Sequence, residues 1–230
     1  MTIAENVAQV RENMDRAALA AGRDPKEILL LAATKMNDAD RVRQAIAAGV
    51  DLCGENRVQE MLEKQAQGAY AGVPLHFIGH LQKNKVKQVV GLAELIHGAD
   101  SLELLSLISR VAQAKCLTQD VLLEVNIGGE SAKSGFAPEE VPEALARAAA
   151  LPALRVRGLM AIPPVCAAPE ENRPFFLRMQ QLFIDNSEKK YDNIRMDFLS
   201  MGMSGDYTEA IACGANLVRV GSGIFGPRQY

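Results

Sequence analysis

Ile28-Leu29-Leu30-Leu31-Ala32-Ala33-Thr34-Lys35 is the stretch on which the fold turns. An apolar run this short, closed by polar residues, reads as a strand buried on both faces. Met36 and Asn37 follow it, with no glycine. An open doubly wound sheet would place a glycine fingerprint after its first strand. A closed barrel asks only that strand and helix alternate eight times.

Working outward, the alternation is there. Apolar strands read at residues 50–53, ending in Gly54-Glu55-Asn56, and at 76–80, 94–97, 121–127, 156–162, 198–201 and 217–220. Between them lie helical patterns around Val42 and Ile46, around Val58, Met61 and Leu62, at 138–150, 173–184 and 208–213. A basic helix carries Lys83, Lys85 and Lys87, read as a solvated face, and Asp100 is placed as the cap of the following helix with Glu103 at N3. Ahead of the first strand, Ile3, Val7, Val10, Met14 and Ala18 fall at helical spacing. Thr2 and Glu5 match a capping box there, and Gly22 and Pro25 are stop signals. Neither a linker nor a shift in composition divides the chain. The expected fold is α/β: a single (β/α)8 TIM-type barrel with an extra N-terminal helix, one domain over residues 1–230.

Composition narrows the function classes. A net charge of −3 argues against a nucleic-acid or membrane-surface field. Four scattered cysteines, none paired as C-x-x-C, fit buried thiols in a reducing compartment rather than a disulfide framework. His76, His80 and His97 form no helical metal pair, so no metal is expected. Charges in the first helix exclude a signal peptide, and no apolar stretch is long enough to span a bilayer. The chain is therefore expected to be soluble and cytoplasmic.

Barrel active sites lie where strands end and the following loops begin. Lys35 closes the first strand on the face of Ala33 and Leu31. If that face lines the barrel, its ammonium is partly desolvated, which favours the neutral amine that imine formation needs. The last two strand ends are glycine-rich: Met201-Gly202-Met203-Ser204-Gly205-Asp206 and Gly221-Ser222-Gly223-Ile224-Phe225-Gly226. Barrels commonly bind phosphate at these two loops. Arg219, inside the eighth strand, either pairs outward or donates to a ligand inside. An imine lysine beside a phosphate cradle points to pyridoxal phosphate, with a sugar-phosphate aldolase as the competing reading.

These residues carry a resemblance. Ala33-Thr34-Lys35; Gly54-Glu55-Asn56 with Val58-Gln59-Glu60; His76-Phe77-Ile78-Gly79 with Leu81-Gln82 and Asn84-Lys85; Lys133-Ser134-Gly135; Gly158-Leu159-Met160; the 199–204 segment; Val218-Arg219-Val220-Gly221; and Ile224-Phe225-Gly226 follow in order. The chain resembles, from about Leu30 to Arg228, the YggS/PROSC-type pyridoxal phosphate homeostasis proteins, relatives of the alanine racemase barrel. The resemblance implies a fold-type III barrel in vitamin B6 homeostasis. It implies a Schiff base on Lys35, phosphate held at Ser204 and at Gly221, Ser222 and Gly223, and Arg219 near the pyridine nitrogen. Asn56 and Met201 would line the cofactor, and Lys133 would lie near the entrance. Two positions depart from the pattern. Ala215-Asn216-Leu217 stands where a Ser-Thr pair is usual, and His80, read as a surface residue, stands where other types are common.

Enzyme or carrier is the remaining choice. Racemases of this resemblance have a second domain that supplies a base opposite the lysine, whereas this sequence runs out at Tyr230, soon after the eighth strand. Tyr207 follows the seventh strand, with nothing in the sequence to set it opposite Lys35. The expectation is a monomeric carrier of pyridoxal 5′-phosphate, without efficient turnover and at most a weak racemase-like side activity. Apoenzymes that depend on the cofactor are the candidate partners. An amino-acid racemase-like enzyme is the alternative.

Overall fold

The computed structural model describes residues 1–188 and 190–227. Two points named above, Arg228 and Tyr230, lie outside the described residues. The first helix, α1 (Ile3–Ala20), buries the five apolar positions picked out by spacing, and its capping box closes as read: Glu5 N–H donates to Thr2 Oγ1 at 3.2 Å and Thr2 N–H to Glu5 Oε2 at 2.7 Å. After it, strand and helix alternate as β1 (Leu29–Ala33), α2 (Ala39–Ala47), β2 (Leu52–Glu55), α3 (Val58–Ala66), β3 (Leu75–Phe77), α4 (Val86–Val89), β4 (Leu95–Ala99) and α5 (Leu102–Ala114). The second half runs β5 (Gln119–Val125), α6 (Val141–Ala149), β6 (Leu154–Ala161), α7 (Arg173–Ser187), β7 (Ile194–Met203), α8 (Tyr207–Ala212), β8 (Leu217–Val220) and α9 (Ser222–Phe225).

The strands pair in sequence order and in parallel, and β8 returns to β1 with Leu31 opposite Arg219 and Ala32 opposite Val220, closing an eight-strand barrel. Alternation along each strand then sorts the side chains. Leu30, Ala32, Cys53, Phe77, Val218 and Val220 face outward into the large core beneath the helices. Leu31, Leu52 and Leu217 form one small cluster inside the barrel, and Leu95, Leu122 and Met160 another. Burying these side chains stabilises by ~1.5–3 kcal/mol each.

Several element bounds differ from the sequence reading. The cap of α5 is Ser101, whose Oγ accepts from Leu104 N–H at 3.3 Å, rather than Asp100. Asp100 instead accepts from Ser101 Oγ at 3.0 Å and turns toward His80, with which it pairs at 3.1 Å. The basic helix divides into a 3-10 turn at Lys83–Lys85 and the single-turn α4, with Lys83 paired to Glu103 at 2.5 Å. The second strand starts and ends two residues later than read, because Leu52 to Gly54 pair with Leu31 to Ala33. Asn216, in the departing segment before β8, bridges that strand to β7: its Oδ1 accepts from Leu199 N–H at 2.8 Å and its Nδ2 donates to Asp197 O at 2.7 Å. Its role is to join strands.

Candidate functional site

Two cavities open at the C-terminal ends of the strands and share Ala33, Lys35, Met203 and Arg219. The first, about 580 Å³, lies toward the β7 and β8 ends and is lined by Ser204, Gly205, Gly221, Ser222 and Arg41. The second, about 360 Å³, lies toward the β2 to β6 ends and is lined by Asn56, His80, Glu124, Asn126, Lys133 and Met160. Lys35, half-buried, stands where they meet.

The backbone on both sides of Lys35 is held by one buried ionic cluster. Glu55 Oε1 accepts from Thr34 Oγ1 at 2.6 Å, Lys64 Nζ at 2.6 Å and Tyr70 OH at 3.0 Å. Lys64 Nζ also donates to Thr34 O at 2.8 Å. On the other side, Met36 N–H donates to Glu60 Oε2 at 2.7 Å, although Met36 sits at φ 61°, where an L side chain is strained. Asn37 Nδ2 donates to the Lys35 carbonyl at 3.0 Å. Strand β1 delivers the lysine, and this cluster fixes its origin.

The β7 and β8 loops are tied together by Ser204, whose Oγ accepts N–H groups from Gly221 at 3.1 Å and Gly223 at 3.2 Å. Ser204, Gly221 and Ser222 line the first cavity. Gly223 stands just behind this lining: a Cβ there would meet Val220 at 2.8 Å and Ser204 Oγ and Val10 at 3.7 Å each. Met201 needs correction. Ser200 points into the barrel, so by alternation Met201 points out, and it is fully buried beneath the helices. Met203 takes the place at the mouth.

Arg219 faces inward, 5% exposed, with burial lowering its pKa to about 10 against the opposing pull of Glu124 and Asp206. Nη1 donates to Ser200 Oγ at 2.5 Å and Nη2 to Ala161 O at 3.0 Å. A guanidinium has five N–H donors, so some remain to face the cavities it lines. Asn56 Oδ1 is buried with no hydrogen-bond partner among the described residues. Gly79 makes room for it: a Cβ there would come within 2.2 Å of the Asn56 carbonyl. Lys133 Nζ donates to Pro163 O at 3.2 Å and pairs with Glu130 at the rim of the second cavity. His80 is exposed yet lines that cavity, so it is a rim residue rather than a plain surface one. A primary amine, a buried donor-only guanidinium, an unsatisfied amide oxygen and a hydroxyl-lined glycine loop fit the amine-reactive, phosphorylated pyridine aldehyde that the sequence implied.

Sequence reasoning missed two lining residues. Arg41, on α2, donates from Nε to Asn37 Oδ1 at 2.9 Å and from Nη2 to the Phe225 carbonyl, adding positive charge to the first cavity. Glu124, the one charge in the apolar run 121–125, projects into the second, and that was its readable signal. Burial first, then the negative charge of Asp100, raise its pKa from 4.5 to about 7, against the attraction of Arg219. A carboxyl raised in the folded state contributes stability that is complete below its unfolded pKa and is lost as pH rises through about 7. Glu124→Gln is therefore expected to stabilise the ligand-free protein by about 3 kcal/mol at pH 8, with most of the gain gone by pH 5. Denaturant midpoints at the two pH values check this, and equal shifts at both would sink it.

The alanine racemase N-terminal domain model matches residues 5–229. A pyridoxal phosphate homeostasis protein of Pseudomonas aeruginosa is 42% identical over 229 residues, covering 100% of this chain and 97% of that one. One from Aquifex aeolicus is 40% identical over the full length of both. The structure of PipY from Synechococcus elongatus with PLP bound superposes with a TM-score of 0.83 at 30% identity, covering 98% of this chain and 100% of that one.

Proposed function

The chain belongs to the family of pyridoxal phosphate homeostasis proteins with the alanine racemase N-terminal domain, and from that premise we propose that it binds pyridoxal 5′-phosphate at the barrel mouth and serves the homeostasis of that cofactor in the cytoplasm. The observation that carries this reading is the convergence of Lys35 and Arg219 on the wall shared by the two cavities. When bound, the cofactor supplies an aldehyde that condenses with a primary amine and a ring that can take up charge. Lys35 is the amine. Ser204, Ser222 and the Gly221 and Gly223 backbone would hold the phosphate, with Arg41 beside them. Arg219, a pure donor, would face the ring nitrogen and leave it without a proton, which weakens the ring as an electron sink. Asn56 would meet a polar group of the ring. Residues 1–230 act as one cofactor-binding unit in this reading, a monomer whose partners are the cofactor and the apoenzymes that receive it. Neither nucleic acid nor membrane has a part. The test is chemical: borohydride reduction of the loaded protein should leave the cofactor's mass on the peptide holding residue 35, and a map that places it elsewhere overturns the assignment.

Holding without efficient turnover is supported by the surroundings of Tyr207. Its hydroxyl accepts from Asn13 Nδ2 at 3.2 Å beneath α1, away from both cavities. Glu124 favours a second reading, because it shares a chamber with Lys35 and has a pKa of about 7, suited to moving a proton near neutral pH. Racemisation assays on proteinogenic amino acids are expected to give at most a slow rate, reduced further by Glu124→Gln. A rate in the usual enzymatic range of ~1–10³ s⁻¹ would replace the carrier reading with the racemase-like one.

A further inference from the structure

Below the mouth, the barrel interior holds a chain of polar side chains where apolar filling is usual. Arg219 Nη1 donates to Ser200 Oγ at 2.5 Å. Ser200 Oγ lies 3.1 Å from His97 Nδ1, and His97 Nε2 lies 3.0 Å from His76 Nδ1. All four residues are buried, His97 and Ser200 completely. The chain crosses from β8 through β7 to β4 and β3.

Its hydrogen-bond directions follow from chemistry. Arginine only donates, so Ser200 Oγ accepts from it, and His97 Nδ1 is the one group of the four that can take the hydroxyl's own proton. His97 is neutral: burial, then the positive fields of His76 and Arg219, hold its pKa well below the ordinary value. Burial likewise lowers His76 to about 4, against the opposing charge of Asp120. A neutral His97 that accepts at Nδ1 carries its proton on Nε2, and that proton goes to His76 Nδ1. Each link thus selects one tautomer of the next. In the opposite tautomer His97 Nδ1–H would be a second donor to Ser200 Oγ beside Arg219, and the hydroxyl proton would find no acceptor among these four residues. A packed apolar interior would serve stability equally well, because exchanging both partners of a buried polar pair for apolar groups is close to neutral.

We propose that His97 and His76 are positioning residues, which set the Ser200 hydroxyl and through it hold the Arg219 guanidinium at the angle that presents its remaining N–H groups to the wall shared with Lys35. The inference rests on the cofactor reading for its use, but its geometry is testable without cofactor. In ligand-free protein labelled with 15N-arginine, the Arg219 Nη signals should be resolved in the wild type, reporting a locked guanidinium, and averaged in His97→Phe. His97→Asn keeps an acceptor for Ser200 near the Nδ1 position and should restore most of the locking. With pyridoxal 5′-phosphate, His97→Phe should weaken binding about tenfold and shift the visible band, and His97→Asn should recover both in large part. Equal Arg219 signals in wild type and His97→Phe overturn the proposal. So does an unshifted band with the same fall in unfolding midpoint in both variants, which would mark a purely structural role. A locked Arg219 in a wild type that binds no cofactor at Lys35 would instead defeat the cofactor reading and leave the positioning role standing.

Discussion

Lys35→Ala is expected to abolish the visible absorbance band that the cofactor gives the wild-type protein, and to leave borohydride nothing to fix. The lysine occupies the boundary of both cavities, and its main chain is clamped by Thr34 on one side and Met36 on the other. The clamps use backbone atoms of Thr34, Lys35 and Met36, so truncating the side chain leaves them in place. Without the covalent link, the proposed polar contacts at Ser204, Ser222, Asn56 and Arg219 would remain, each worth ~1 kcal/mol. Affinity should fall by roughly a hundredfold or more. Lys35→Arg sharpens the test, since it keeps the charge but does not condense with an aldehyde. Both variants should lose the band. A Lys35→Ala protein with an unchanged band would remove the attachment point on which the functional reading depends.

Glu55→Ala is expected to be the most destabilising of the substitutions considered, by about 3–5 kcal/mol. Glu55 is fully buried, and its Oε1 is the main counter-charge of Lys64, whose side chain is 8% exposed. Removing the carboxylate strands an ammonium inside the protein, frees the Tyr70 hydroxyl and leaves Thr34 Oγ1 only its 3.1 Å bond to Gly54 O. For a chain of this length the loss corresponds to a fall in unfolding midpoint of roughly 10 °C. A double variant, Glu55→Leu with Lys64→Met, should recover much of that stability, because both charges leave the interior at once. It should not recover tight cofactor binding, because Thr34 O and Oγ1 have lost the groups that fix the approach to Lys35. Calorimetry and cofactor titration on the same three proteins separate the two effects. A single variant as stable as the wild type would refute the account of the cluster.

What could be read from the sequence followed from local rules. Helix periodicity found the buried face of α1, and strand parity put Lys35 on the face of Leu31 and Ala33, inside the barrel. Met201 is a cofactor-lining position by resemblance alone, and strand parity overrules it. The same parity that turns Ser200 inward turns Met201 out. Asp100 and Ser101 are both good capping types; Ser101 takes the cap, while Asp100 pairs with His80, which is remote in sequence. The polar chain from Arg219 to His76 and the field around Glu124 join residues from different strands across the barrel. No single strand's pattern carries that pairing, so only the closed structure shows it.

Helix α1 has a consequence for how the protein is made. It docks on α8 and α9, with Asn6 Nδ2 donating to Ile224 O at 2.8 Å across 218 residues of sequence and Val10 set against Gly223. Helix α1 therefore waits for a partner that is synthesised 218 residues later. Closing so long a loop adds only slowly to the entropy cost, but it cannot happen early. Until then the nascent chain displays Ile3, Val7, Val10 and Met14 to whatever chaperones are present, and the loops that would cradle the phosphate lack their support.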